Sequence, residues 1–461
     1  MGAKSKLEYD PKSAWQTYAS ARERAAMARL AERYRAFLSE CKTERLVMDH
    51  VRRRAESAGF ADDLAAPRAF RFNRGKTCFL ARQGRRPLSQ GFRLIGAHAD
   101  CPRLDLKQRP LYEDLDLALA KTHYYGGIRK YQWLTIPLAL HGVVVPKSGP
   151  PVTVCIGEDP ADPVLTITDL LPHLAAQEVV KKVEDAFEAE KLNLVMGQSP
   201  ARSLAKDRSG TAEPVKRRLL EILHERFGIA EADLLSAELQ AVPAGPARFV
   251  GLDRALIGGY GQDDRSGVFC ALEAFLAEED PEHCQIVLFW DKEEVGSEGA
   301  TGARSLFFEY CMEELVAAWE PGVRLSRVLS GGSALSADVA AAMDPDYKDV
   351  YEPRNAARIG YGPCFNKFTG HRGKVGSNDA QPEFIGWLRR ILDEAGVPWQ
   401  MSELGKVDLG GGGTVAKFLA VYGMDVIDVG VPLLSMHSPF EISATADIHA
   451  CVLAFREFLK N

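Results

Sequence analysis

The chain has 461 residues, 46% of them hydrophobic and 26% charged, the balance of a soluble globular protein of more than one domain. Its 57 basic and 63 acidic residues give a formal charge of -6, which argues against a dedicated nucleic-acid binder. The nine cysteines are scattered and form no CxxC pair, so a disulfide framework or a cysteine-rich zinc site is not expected and a reducing cytoplasm fits best.

The N-terminal stretch has charges but no apolar segment behind them, so it does not read as a secretory signal. Gly2 could suggest myristoylation, but Lys6 stands where that motif wants Ser or Thr. No run approaches the ~20 apolar residues needed to span a bilayer, and no membrane partner is expected.

Residues 13–58 carry apolar side chains at helical spacing, ended by Gly59. Phe92 to Ala97 is a short apolar run suited to a buried strand, followed by the polar group HADCPR. From 106 to 249 the pattern changes to short β-rich pieces with frequent Gly and Pro: YYGGIRKYQW, IPLALHGVVV, PVTVCIG and VLTITDLL. Residues 192–213 read as a polar loop, and a helix is expected around AEPVKRRLLEILHERFG. From 250 onward helices and strands alternate: SGVFCALEAFLAEED, QIVLFW, TGARSLFFEYCMEELVAAW, AQPEFIGWLRRILDEAG, MDVIDVGVPL and ADIHACVLAFREFLK. That alternation predicts an α/β fold with a mixed, largely parallel sheet flanked by helices. The strand at 92–97 is expected in the same sheet. The α/β domain would then be split into 1–105 and 250–461, with a β-rich domain, 106–249, inserted.

Five polar clusters follow apolar runs, where an open α/β sheet binds its ligands. His98 and Asp100 are two apart and can share one strand face, His98 as a metal ligand and Asp100 as the group that orients its ring. In GQDDRSG, Asp263 and Asp264 precede a helix; adjacent carboxylates there can hold cations or simply cap the helix. In DKEEVGS, one of Glu293 and Glu294 can bind metal while the other serves as general base. Asp338 in SAD and His437 in MHS complete the set. Two histidines with several carboxylates suit zinc, cobalt or manganese rather than calcium, in numbers that allow two metals with one bridging Asp. No GxSxG or HExxH is present, and LGGGGT at 409–414 lacks the ending of a phosphate loop.

With these clusters in order, the chain resembles the aspartyl aminopeptidase family of cocatalytic zinc peptidases. The likeness runs through HADCPRLDLK, HYYGGIRKYQW, ITDLLPHLA, DKEEVGS, SADVA, KVDLGGGGTVA and LLSMHSPFE. GQDDRSG departs from the family's Leu-Asp-Asn form but keeps the bridging Asp. The resemblance implies two divalent ions per subunit, zinc with cobalt or manganese as alternatives. One would be held by His98 and Asp338 and the other by Glu294 and His437, with Asp263 bridging. It makes Glu293 the general base on the metal-activated water and Asp100 the residue orienting His98. It implies peptide substrates, with a lean toward Asp or Glu at the N-terminus, for which Lys367, Arg372 and Lys374 are candidate cations. It further implies that the inserted domain mediates dimerisation, that dimers build a dodecamer, and that His173 reaches a neighbouring subunit's site. The alternatives are an aminopeptidase for neutral N-termini, a deacylase or carboxypeptidase on the same scaffold, and an inactive member serving as scaffold.

Overall fold

The computed structural model describes residues 7, 9, 11–201 and 213–461. Gly2 and Lys6, and half of the expected polar loop, lie outside the described residues. The described residues form two compact units. The first comprises Met1–Asp100, Ala247–Met436 and Phe440–Asn461, and the second Cys101–Pro246 with His437–Pro439.

The first unit is built on an eight-stranded sheet. Its strands are β1 (Arg68–Asn73), β2 (Thr77–Arg82), β3 (Phe92–His98), β4 (Cys284–Trp290), β5 (Ser333–Ala337), β6 (Cys364–Asn366), β7 (Gln400–Met401) and β8 (Asp425–Gly430). The spatial order is β1-β2-β4-β3-β5-β8-β6-β7. The central run β4-β3-β5-β8 is parallel, the β1–β2 hairpin pairs antiparallel within itself and to β4, and β6 pairs antiparallel to β8 and parallel to β7. Parallel strands covered on both faces need apolar side chains at nearly every position, which is what makes the runs in β3 and β4 so conspicuous. Ile95, Ala97, Val287, Phe289, Leu335 and Val429 face one core with the helices Ala21–Glu40, Gln262–Leu276, Pro382–Glu394 and Thr445–Lys460. Leu94, Ile286, Leu288, Ala334 and Val426 face the other, with the helix Phe307–Trp319.

The helical stretch expected over 13–58 is three helices, Ala14–Thr17, Ala21–Glu40 and Glu44–Ser57. Ser20 and Glu23 form a capping box and Thr43 caps the third helix, so each restart is written in a side chain that takes an otherwise orphaned N–H. The helix expected from Thr301 begins only at Phe307, because Thr301 is used to bind Asp291 through its hydroxyl and Thr77 through its carbonyl. The β1–β2 hairpin was absent from the expected elements, its strands being short and mixed in polarity.

The second unit holds a six-stranded antiparallel sheet. Its order is Val152–Ile156, Leu138–Val144, Ala237–Pro243, Arg103–Asp114, Leu117–Tyr125 and Leu194–Gly197. The helix Pro214–Phe227 starts on its proline and ends at Gly228, whose φ of 69° closes the last turn in the left-handed region. Three pieces differ from expectation. Tyr124–Trp133 leaves the sheet at Tyr125 and closes in a 3-10 turn, Lys130–Trp133. Val164–Leu171 contributes only the isolated bridges at Leu165 and Thr166. The polar loop instead opens with the strand Leu194–Gly197, because Val195 pairs with both Leu119 and Thr166.

Candidate metal centre

The parallel strands deliver three of the polar clusters to one edge of the sheet. His98 is the last residue of β3 and lies opposite Trp290, the last of β4, so Asp291, Glu293 and Glu294 follow at the same level. Asp338 follows β5, held close under β8: a Cβ on Gly430 would lie 1.8 Å from the Asp338 carbonyl oxygen, so only glycine fits. Asp263 enters from the start of the helix Gln262–Leu276, and its peptide bond to Asp264 is cis.

The His98 ring is buried. Its Nδ1 sits 3.0 Å from the carbonyl oxygen of Asp100 and 3.4 Å from that residue's carboxylate. Nδ1–H therefore donates toward Asp100 and turns Nε2 to the other side. Nε2 is 3.2 Å from Asp263 Oδ1 and 3.9 Å from Asp338 Oδ1. Burial alone would lower the imidazole pKa, but hydrogen bonds to Asp100 and Asp263 and the Asp338 charge carry it well above its ordinary value. Burial and the Asp263 charge push the Asp338 carboxyl up, against the pull of His98. A nitrogen and two carboxylates whose donor atoms all lie within 4.8 Å of one another form a set that suits zinc. Glu294 brings a carboxylate within the same reach of Asp263.

Asp100 is fully buried, and its carboxylate takes the first two backbone N–H groups of the turn Glu293–Val295. Oδ1 accepts from Glu293 N at 3.1 Å and Oδ2 from Glu294 N at 3.2 Å. One carboxylate thus holds the turn that carries both glutamates, while the same residue's carbonyl steers His98. Asp291, just ahead, is buried and accepts from Thr301 Oγ1 at 2.7 Å; burial and the Glu44 and Asp100 charges push its carboxyl up to about 6. Asp264 is buried too and accepts from Gly267 N at 3.0 Å, which fits the capping alternative for the second member of that pair.

The remaining expected residues lie as follows. His437 belongs to the segment His437–Pro439 of the second unit, where Nδ1–H donates to the Gly127 carbonyl at 2.9 Å. His173 is exposed in the 3-10 turn Pro172–Gln177 of that unit. Lys367 and Lys374 are both ion-paired to Asp379, Lys374 at 2.9 Å, and Arg372 stands between them in sequence with a φ of 46°.

Two residues went unnoticed in the sequence. Arg265, inside the quoted GQDDRSG, is wholly buried and donates to the carbonyls of Gly261 (2.7 Å), Tyr260 and Cys41. A lone guanidinium at the head of an otherwise apolar helix was its signal. Glu441, inside LLSMHSPFE, accepts the amide of Asp263 at 3.1 Å; nothing in its local pattern marks it.

The family described as Aminopeptidase I zinc metalloprotease (M18) matches residues 37–459. The probable M18 family aminopeptidase 1 of Clostridium acetobutylicum is 46% identical over 462 residues, covering 98% of each chain. The counterpart in Thermotoga maritima is 44% identical over 449 residues, covering 95% of this chain and 97% of that one. The crystal structure of the Thermotoga maritima M18 aminopeptidase superposes with a TM-score of 0.91 at 43% identity over 98% of this chain and 100% of that one. Yeast aminopeptidase 1, at 19% identity and a TM-score of 0.75 over 94% of this chain and 97% of that one, shares the fold. The chain belongs to the M18 family and is a zinc metallo-aminopeptidase, a metal-dependent hydrolase of peptides.

Proposed function

We propose that the protein removes N-terminal residues from peptides with two zinc ions per subunit. His98 and Asp338 would hold one, Glu294 and His437 the other, and Asp263 would bridge them. The observation that carries this reading is the convergence of His98, Asp263 and Asp338 within 4.8 Å, with Glu294 at the same distance from Asp263. For His437, the hydrogen bond of Nδ1 to Gly127 makes Nε2 the nitrogen that would take a metal. When bound, the two ions supply Lewis acidity that polarises the scissile carbonyl and acidifies the attacking water. Glu293 takes the proton from that water and carries it to the departing amine. Asp100 fixes the Glu293–Glu294 turn so that base and ligand keep their places.

The lean toward acidic N-termini rests on the segment 367–374, where Lys367 and Lys374 share the single carboxylate of Asp379 and Arg372 adds a further positive charge. The opposite reading, neutral N-termini, is favoured by that same Asp379, which engages both lysines. Assembly into homo-oligomers is supported by apolar side chains in the second unit, among them Leu174, Val179, Val180 and Val183, of which Val180 is 83% exposed. A likeness to the S. cerevisiae mApe1 dodecamer, at a TM-score of 0.74 and 19% identity over 94% of this chain and 96% of that one, makes a dodecamer assembled from dimers the form to test. In such an assembly His173 would reach a neighbour's site. A cytoplasmic setting fits nine cysteines of which none forms a disulfide, and no described helix is long and apolar enough to cross a membrane.

The test is hydrolysis of aminoacyl chromogenic substrates (Asp, Glu, Leu, Ala, Lys and an N-acetylated control) with Zn²⁺, Co²⁺ or Mn²⁺, on wild type and Glu293→Gln. The variant is expected to lose about 10²–10⁴-fold in kcat with its zinc content unchanged. Full activity in Glu293→Gln would remove Glu293 as the base, and cleavage of the acetylated control alone would replace the aminopeptidase with a deacylase.

A further inference from the structure

The start of the helix Gln262–Leu276 is irregular: Asp263 (φ -82°, ψ 111°) and Asp264 (φ -110°, ψ 35°) lie outside the helical region. Amides at such a start have no intrahelical acceptor, and buried ones are costly when unmet. One buried carboxylate meets them here. Glu441 Oε2 accepts from Gln262 N at 2.5 Å and from Asp263 N at 3.1 Å. Gln262 is tied down in turn. Its Nε2 donates to the Glu441 carbonyl at 2.6 Å and to Ile257 at 3.1 Å, and its Oε1 accepts from Ser443 Oγ at 2.6 Å and Tyr34 OH at 3.0 Å. Gln262, Asp263, Glu441, Ser443 and Tyr34 are all buried. Glu441 is itself fixed by the pairing of the strand Glu441–Ala444 with Leu256–Gly259.

We propose that Glu441 is a positioning residue for the metal centre: through the amides of Gln262 and Asp263 it sets the Asp263 carboxylate in its bridging place. The proposal rests on Asp263 being the bridge. The function asks for a carboxylate because one of its oxygens takes two N–H donors at once, with charge-assisted bonds and a negative charge at a helix start. An amide oxygen in its place is a weaker acceptor without the negative charge, and it brings an NH₂ donor where the carboxylate has its second oxygen. The network also joins three distant stretches of chain, since Tyr34 lies 228 residues from Gln262 and Glu441 lies 178 from Asp263, so the bridge is held by the fold rather than by its own helix.

The experiment titrates Zn²⁺ into metal-free wild type, Glu441→Gln, Ser443→Ala and Asp263→Asn against a chelator of known affinity, with kcat, KM and the melting temperature of the metal-free protein measured alongside. Glu441→Gln is expected to lose about 10–100-fold in zinc affinity or in kcat while KM stays near wild type. Ser443→Ala, which removes one donor to Gln262, is expected to move the same quantities in the same direction by less, and it serves as the readout if Glu441→Gln does not fold. A lower melting temperature with zinc affinity and kcat unchanged would make Glu441 structural only and overturn the proposal. Asp263→Asn with wild-type zinc binding and turnover would instead overturn the bridge itself, whatever Glu441 does.

Discussion

Asp100→Asn separates two tasks that the structure assigns to different atoms of one residue. The substitution keeps the backbone carbonyl that accepts from His98 Nδ1 at 3.0 Å, the nearer of the two Asp100 oxygens on that nitrogen, the carboxylate lying at 3.4 Å. It changes the carboxylate, which takes Glu293 N at 3.1 Å and Glu294 N at 3.2 Å. The amide oxygen can still serve one of those donors, while its NH₂ group faces the other. One charge-assisted bond is lost, and a donor in a part-buried turn goes unmet, at a cost of about 1–3 kcal/mol. Some of that shows as stability and the rest as misplacement of the turn that carries Glu293, the proposed base. A 10–100-fold fall in kcat/KM, about 1.4–2.8 kcal/mol in the barrier, is the expected size. The assay is steady-state hydrolysis of the best substrate in the panel, paired with chelator competition for zinc in Asp100→Asn and His98→Ala. Wild-type kcat/KM in Asp100→Asn would refute the role given to the Glu293–Glu294 turn. Loss of zinc as severe as in His98→Ala would show that the carboxylate, not the carbonyl, orients the ring.

Replacing Lys367 and Lys374 together by Ala should lower kcat/KM about tenfold on Asp and Glu substrates while Leu substrates are unaffected, a difference of about 1.4 kcal/mol; an equal effect on both would remove these lysines from specificity. Asp447 is buried, with its carboxyl raised to about 7 by burial against the pull of hydrogen bonds from Gly360 and Gly362, each at 2.7 Å. Between pH of about 4 and 7 the folded form keeps a proton that the unfolded form has lost, so this residue's share of stability falls by about 1.4 kcal/mol per pH unit as pH rises. Urea unfolding at several pH values should therefore show wild type losing stability relative to Asp447→Asn across that window, and a constant difference would contradict the assignment. Asp at both Leu174 and Val180 should reduce the particle mass measured by light scattering, because these exposed apolar side chains would otherwise be covered by another copy; an unchanged mass would place the subunit contact elsewhere.

The placement of several candidate site residues is legible in the sequence. A parallel sheet writes its buried strands as unbroken apolar runs and ends them at its ligand edge, so the positions of His98, Glu293 and Glu294 follow from FRLIGA and QIVLFW alone. The caps at Ser20 and Thr43 show why the long N-terminal helical pattern was read without its breaks: apolar periodicity continues across a restart, and only the side-chain bonding reveals it. The β1–β2 hairpin escaped because its residues, RAFRFN and TCFLAR, carry too little contrast between faces to stand out.

The sequence by itself determined the chemistry on offer: two histidines and a group of carboxylates, each placed behind an apolar segment, with no nucleophile motif to compete. Only the tertiary structure decided which partners each of them meets. Asp100 gives its carboxylate to amides 193 and 194 residues away while its carbonyl is the oxygen nearest the His98 ring, and Glu441 reaches back 178 residues to the amide of Asp263. Local sequence encodes periodicity and capping because those act within a few residues. A hydrogen bond between distant segments leaves no pattern in either of them, since it exists only once the sheet has brought the strand ends together.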